Sequence, residues 1–169
     1  MKRSFLLTSF DTWLPHQQSN SSDDLLIELA KIDSISHTLI FLRKLPVDVA
    51  LASAQVIAKI AELQPDAIIC CGMAEKRTVL TVESRAAWGE SVLETTVDLQ
   101  QLVAATGVEI GYDCGKFVCE GLYYSVLAYL RQAQLKIPCI FVHVPILTGE
   151  NLSSILGDFL LIIDRLALC

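Results

Sequence analysis

Residues 66–72 read DAIICCG: five apolar residues held between an acid and a glycine, with no alternation. A strand with water on one side alternates apolar and polar residues; a strand covered on both faces has no reason to. The run is too short for a buried helix, and Gln64-Pro65 separates it from what precedes it. It predicts a central strand of a parallel sheet, which requires helices on both faces.

The flanks supply them. Upstream, Asp48 is placed to cap a helix to about Leu63, with Val49, Ala52, Val56, Ile57, Ile60 and Leu63 at roughly helical spacing. Before it, HTLIFLRKL (37–45) reads as a strand ended by Pro46. Ser22 or Asp23 is placed to cap a short helix, DLLIELAKI. SFLLTSF (4–10) reads as the first strand, and 11–22, broken by Pro15, as a loop. Downstream, TVLTVESRAAW suggests a strand through Glu83. VDLQQLVAATG suggests a helix stopped by Gly107, and VEIGY (108–112) a short strand. A helix from about Lys116 to Gln134 carries Val118, Leu122, Val126 and Leu130 on one stripe. PCIFVHVP (138–145) is another buried strand, and a closing amphipathic helix is capped by Asn151. Strands alternate with helices along the chain. The pattern predicts one α/β domain over 1–169, a three-layer αβα sandwich with a mostly parallel sheet.

Composition narrows the partners. Of 169 residues, 53% are hydrophobic and 19% charged. This apolar content suggests elements buried on both faces, or a surface covered by another subunit. The exposed-looking LETTVDLQQLV segment points the same way, towards a homo-oligomer. A net charge of −6 argues against nucleic acid or an anionic membrane as partner. The six cysteines contain no CxxC pair and are not spaced as a disulfide framework; with three histidines they suggest reduced thiols in a cytoplasm and no metal site. The short apolar runs at both ends fit neither a signal peptide nor a membrane span.

Sheets of this kind carry chemistry at the carboxyl ends of their strands, here the loops after Phe10, Cys71, Tyr112 and His143. Cys119 falls in the first turn of its helix, where free N–H groups favour a thiolate and can hold an oxyanion. It also reads as a small buried apolar residue. His143 ends an apolar strand, as a core histidine or as a general base beside Cys119. A right-handed crossover would return its strand end to the side where the Cys119 helix begins. Glu83 would orient the imidazole, or pair at the surface with Arg85. Asp113 is a competing acid.

At these residues the chain resembles a known family. CGKFVCEGLYYSVL (114–127) is similar to the segment around the nucleophile of the pyroglutamyl peptidase I family of cysteine peptidases, Ala-Gly-x-Tyr/Phe-Val/Leu-Cys-Asn before an aromatic helix. IFVHVPIL resembles its His-Val/Ile-Pro motif. CGMAEKRTVLTVESRA resembles Gly-x-Ala-x-Gly-Arg leading to the catalytic glutamate, and LLTSFDTW stands where the family has Thr-Gly-Phe-x-Pro-Phe. The resemblance implies Cys119 as nucleophile, His143 as general base and Glu83 as its orienter. It implies Phe10 and Trp13 around the pyrrolidone ring, with Gly72 also in the substrate-binding set. The implied activity is removal of N-terminal pyroglutamate from peptides or small amides, without cofactor. The chain departs from the family pattern in places: TWLPHQQSN (12–20) replaces the Pro-Phe-Gly-Gly turn, Lys76 a glycine, Cys114 an alanine and Glu120 the asparagine after the nucleophile, and the stretch from Glu83 to Cys119 is shortened. A facing Glu120 would oppose thiolate formation. A non-catalytic binding protein and a thiol amidase with another substrate remain as alternatives.

Overall fold

The computed structural model describes residues 1–169. The chain runs β1 (Ser4–Phe10), α1 (Ser21–Leu29), β2 (Thr38–Leu45), α2 (Val49–Leu63), β3 (Ala67–Met73), β4 (Thr81–Glu83), β5 (Arg85–Trp88), β6 (Ser91–Glu94), α3 (Leu99–Val103), β7 (Glu109–Gly111), α4 (Val118–Gln132), β8 (Cys139–Val144) and α5 (Leu152–Leu166). Six strands form one sheet in the order β2-β1-β3-β8-β4-β7. β3 sits inside it between β1 and β8, parallel to both, as the unbroken apolar run requires.

The pleat divides each central strand between two cores. Phe5, Leu7, Ala67, Ile69, Cys71, Ile140, Val142 and Val144 face α1, α3 and α5, meeting Leu25, Leu102, Phe159 and Ile162. Leu6, Phe10, Ile68, Cys70, Cys139 and Phe141 face α2 and α4, meeting Val56, Ile60, Leu122, Tyr123 and Val126. Each fully buried large side chain contributes about 1.5–3 kcal/mol, so both faces must be covered for the sheet to persist. The three-layer αβα architecture is borne out. No helix is long and apolar enough to cross a membrane.

Local expectations held where one residue had one task. Asp48 caps α2 by accepting from Leu51 N at 2.8 Å. At α1 the cap is Asn20, accepting from Ser22 N at 3.0 Å. Ser22 and Asp23 are otherwise engaged: Ser22 Oγ accepts from Phe10 N, and Asp23 takes the Arg43 fork at 2.8 and 2.9 Å and Ser9 Oγ at 2.7 Å. Burial works to raise the Asp23 pKa, but those hydrogen bonds outweigh it and hold the carboxyl below its usual value.

The region 81–111 departs from the expectation. β4 pairs antiparallel with β8, and β7 follows β4, so two of the six strands run against the others. The connection through α4 therefore does not join parallel neighbours. β5 and β6 form a separate hairpin, closed at Gly89 with φ +61, the positive φ that a two-residue hairpin turn needs at its first position. The helix expected over 97–107 lasts five residues, because Ala105 turns left-handed and Arg165 Nη1 donates to the Leu102 and Ala104 carbonyls at 2.8 and 2.6 Å. Val97, Leu99 and Leu102 lie in the core; the segment read as exposed does not offer an apolar interface.

Candidate active site

Three chain segments place side chains on the α2/α4 face of the sheet. In β8, Phe141 and His143 point to that face, and His143 is 6% exposed. In β4, Glu83 is fully buried. His143 Nδ1 lies 2.7 Å from Glu83 Oε1. With Glu83 as carboxylate, Nδ1–H donates, and in the neutral ring that leaves Nε2 as the acceptor nitrogen. Arg77 Nη1 reaches the same Oε1 at 2.8 Å, while Oε2 is buried without a partner. Arg77 is thus the partner that sequence reading sought in Arg85; Arg85 instead donates Nε–H to the Tyr112 carbonyl at 3.0 Å. Asp113 accepts from Gly115 N and takes no part in orienting His143.

Cys119 arrives from above. Residues 112–117 carry the chain back from β7 to the start of α4, with Gly115 at φ +96. Phe117 occupies the cap position of α4 and makes no side-chain cap bond, so N–H groups of the first turn are unclaimed by a capping side chain. Cys119 Sγ settles over Gly72, where an added Cβ would lie 2.6 Å away. Gly72 is the register partner of His143, and Cys119 and His143 line the same cleft. Gly72 itself does not line that cleft; its part is to admit the sulfur.

The cleft encloses about 280 Å³. Phe10 lines it from the core, 2% exposed, and Trp13 lies at its mouth, 52% exposed. The ring facing Trp13 is not Phe10 but Phe117, with centroids 5.0 Å apart and planes at 36°. Phe117 was missed although it stands two residues before Cys119, inside the quoted motif. Glu75 lines the cleft and holds the 11–20 loop by accepting from Gln17 Nε2 at 3.0 Å. Glu120 turns away: its Oε1 accepts from Ala87 N at 3.0 Å, beneath the hairpin. Its feared effect on Cys119 does not arise.

The thiol is nevertheless not activated at rest. Burial first, then the charges of Glu83 and Cys70, push Cys119 up to about 12, against the backbone hydrogen bond that pulls it down. The helix N-terminus loses to desolvation, so the resting sulfur is a thiol. Burial also raises Cys71 and Cys114 well above the ordinary value of 9.0. Their folded forms keep protons that the unfolded chain loses, so the native state binds more protons above that value and stability falls as pH rises. Each thiol removes about 1.4 kcal/mol per pH unit from roughly pH 9 upward. Denaturant unfolding across that range should show the midpoint dropping steeply; a flat profile would contradict the burial of these thiols.

Comparison with known proteins agrees with the motif resemblance. No family model matches the chain. It is 28% identical to a pyrrolidone-carboxylate peptidase of Thermoanaerobacter sp., over an alignment of 176 positions covering 88% of this chain and 85% of the relative. It is 27% identical to pyrrolidone-carboxylate peptidase 2 of Caldanaerobacter subterraneus, covering 88% and 84%. The structure superposes on pyroglutamyl peptidase I from Bacillus amyloliquefaciens with a TM-score of 0.86 at 20% identity, covering 100% of this chain and 97% of that one. The pyrrolidone carboxyl peptidase from Thermococcus litoralis gives 0.82 at 16% identity, covering 98% and 93%. The fold is shared with these structures, and the resemblance to the pyroglutamyl peptidases is borne out.

Proposed function

We propose that this homologue of the pyrrolidone-carboxylate peptidases is a cysteine peptidase that removes N-terminal 5-oxoproline from peptides. The observation that carries the reading is the stacking of Cys119 Sγ over Gly72, the register partner of a His143 held by Glu83.

The chemistry follows from the neutral resting thiol. His143 Nε2 takes the Sγ proton as the sulfur attacks the carbonyl joining 5-oxoproline to the next residue. Glu83 stabilises the imidazolium that forms. The oxyanion is held by N–H groups of the first turn of α4. The imidazolium gives its proton to the departing amine, leaving a thioester. Water, deprotonated by His143, attacks that thioester and releases 5-oxoproline and the thiol.

A cleft of about 280 Å³ suits a one-ring acyl group. Trp13 and Phe117 replace the expected Phe10–Trp13 sandwich, with Phe10 as the floor. Stacking on both faces of a flat ring needs about 7 Å between the flanking rings, so their 5.0 Å contact opens on binding. Six unpaired thiols support a reducing, cytoplasmic setting. Exposed Leu51, Trp88 and Val92 support association of copies; sedimentation as a pure monomer would remove that part.

A panel of amides with different N-terminal blocking groups tests the substrate. Pyroglutamyl amides should be cleaved in preference to acetyl- and formyl-blocked ones. Cleavage of another blocked amide instead would identify a different thiol amidase. No cleavage of any would favour a non-catalytic binding protein, the reading that the raised thiol pKa by itself supports.

A further inference from the structure

We propose that Arg77 is a positioning residue for the reaction: its guanidinium fixes the Glu83 carboxylate in the orientation that makes His143 a base, and ties it to the segment leading into the Cys119 helix. The inference rests on the peptidase reading and deepens it.

Glu83 is fully buried, yet only one of its oxygens is bonded. Oε1 accepts from His143 Nδ1 at 2.7 Å and is ion-paired with Arg77 Nη1 at 2.8 Å. Oε2 turns into the space left by Gly111 and has no hydrogen-bond partner there. A hydrogen bond and an ion pair converging on one oxygen hold the torsion of the carboxylate; with His143 alone it could rotate and offer either oxygen. Charge gives the second reason. A buried carboxylate without a cation is strongly disfavoured. The groups that face Glu83 are His143, Arg77 and the thiols of Cys114 and Cys119, which feel its charge. Tyr123 Oη donates to the Glu83 main-chain carbonyl, not to its side chain. Arg77 is therefore the permanent cation on this carboxylate.

The same side chain reaches further. Arg77 Nη2 donates to the Asp113 carbonyl at 3.3 Å. Asp113 begins the turn that holds Cys114 and Gly115 against the cleft before α4 starts. One planar fork thus joins the His143 side of the site to the Cys119 side. Lysine carries the charge but not the fork.

The test compares Arg77→Met and Arg77→Lys with the wild type. It measures kcat and KM on a pyroglutamyl amide, and the 15N signals of the His143 ring. Arg77→Met should lower kcat about 10- to 100-fold, the lower end of the coupling between close charged groups, with KM little changed. The His143 ring signals should shift as its bond to Glu83 loosens. Arg77→Lys should recover part of kcat and of the wild-type spectrum. Unaltered kcat and ring signals in both variants would overturn the proposal. So would equal losses in both with the His143 signals unmoved, which is what a merely structural arginine would give. If Arg77→Met fails to fold, the lysine variant alone decides through the same two readouts. If the wild type cleaves no pyroglutamyl amide, the peptidase reading fails, while the ring signals still decide whether Arg77 positions Glu83 and His143.

Discussion

Replacing Cys119 with alanine should reduce turnover of a pyroglutamyl amide by on the order of 10⁴- to 10⁶-fold, the scale seen when a nucleophile is removed from a catalytic set. The fold should survive. Cys119 is part-buried at the first turn of α4, makes no disulfide and caps nothing. Its loss leaves a small void over Gly72 and costs about 1 kcal/mol. The alanine variant should therefore unfold near the wild-type denaturant midpoint while turning over almost no substrate. Serine should do no better, because the attack depends on sulfur and not on a hydroxyl in its place. Equal turnover by the wild type and Cys119→Ala would remove the thiol from the mechanism.

The second large effect belongs to a residue with no chemistry of its own. Gly72→Ala should cut turnover about 100-fold, the penalty for displacing a reacting group by roughly 1 Å. The added Cβ would lie 2.6 Å from Cys119 Sγ and 2.9 Å from Phe141 Cζ. The aromatic neighbour cannot yield cheaply. Phe141 is fully buried beside Tyr123 and His143, with ring centroids 5.6 and 5.0 Å from theirs. The sulfur must move, and it moves relative to His143. Overpacking should destabilise the protein by about 1–3 kcal/mol as well. Gly149→Ala, where an added Cβ meets nothing within 4 Å, is the control. Wild-type turnover in Gly72→Ala would mean that the sulfur does not rest over this glycine.

The sequence was most legible where a strand is buried on both sides or a helix has a clear stripe. DAIICC read as a central strand and CIFVHV as a buried one, and α2 announced both its cap and its face. Legibility failed in the short elements. Three residues in β4 and three in β7 contain too little pattern to reveal that they run against the sheet. The β5–β6 hairpin has Arg85 and Glu94 paired across it and offers no core face strong enough to stand out. At the site, residue types and motifs named the candidates, but side-chain direction decided their company. Cys119 and Glu120 are adjacent, yet helix neighbours project about 100° apart, and Glu120 ends under the hairpin. Arg77 and Arg85 lie on either side of Glu83 in sequence, and only the coordinates place Arg77 on its carboxylate. The pKa of Cys119 was misjudged for a related reason: its place in the first turn was visible, but its burial beside Glu83 was not.

The central claim is that Cys119 sulfur becomes acylated during turnover. Acid-quenching the enzyme with a pyroglutamyl ester and mapping its peptides by mass spectrometry tests this directly. A single pyroglutamyl group on the peptide containing Cys119, absent in Cys119→Ala and in His143→Ala, which lacks the base that the attack needs, is the predicted result. Brisk turnover with no acyl group on that peptide, or with the group on another cysteine, would contradict it.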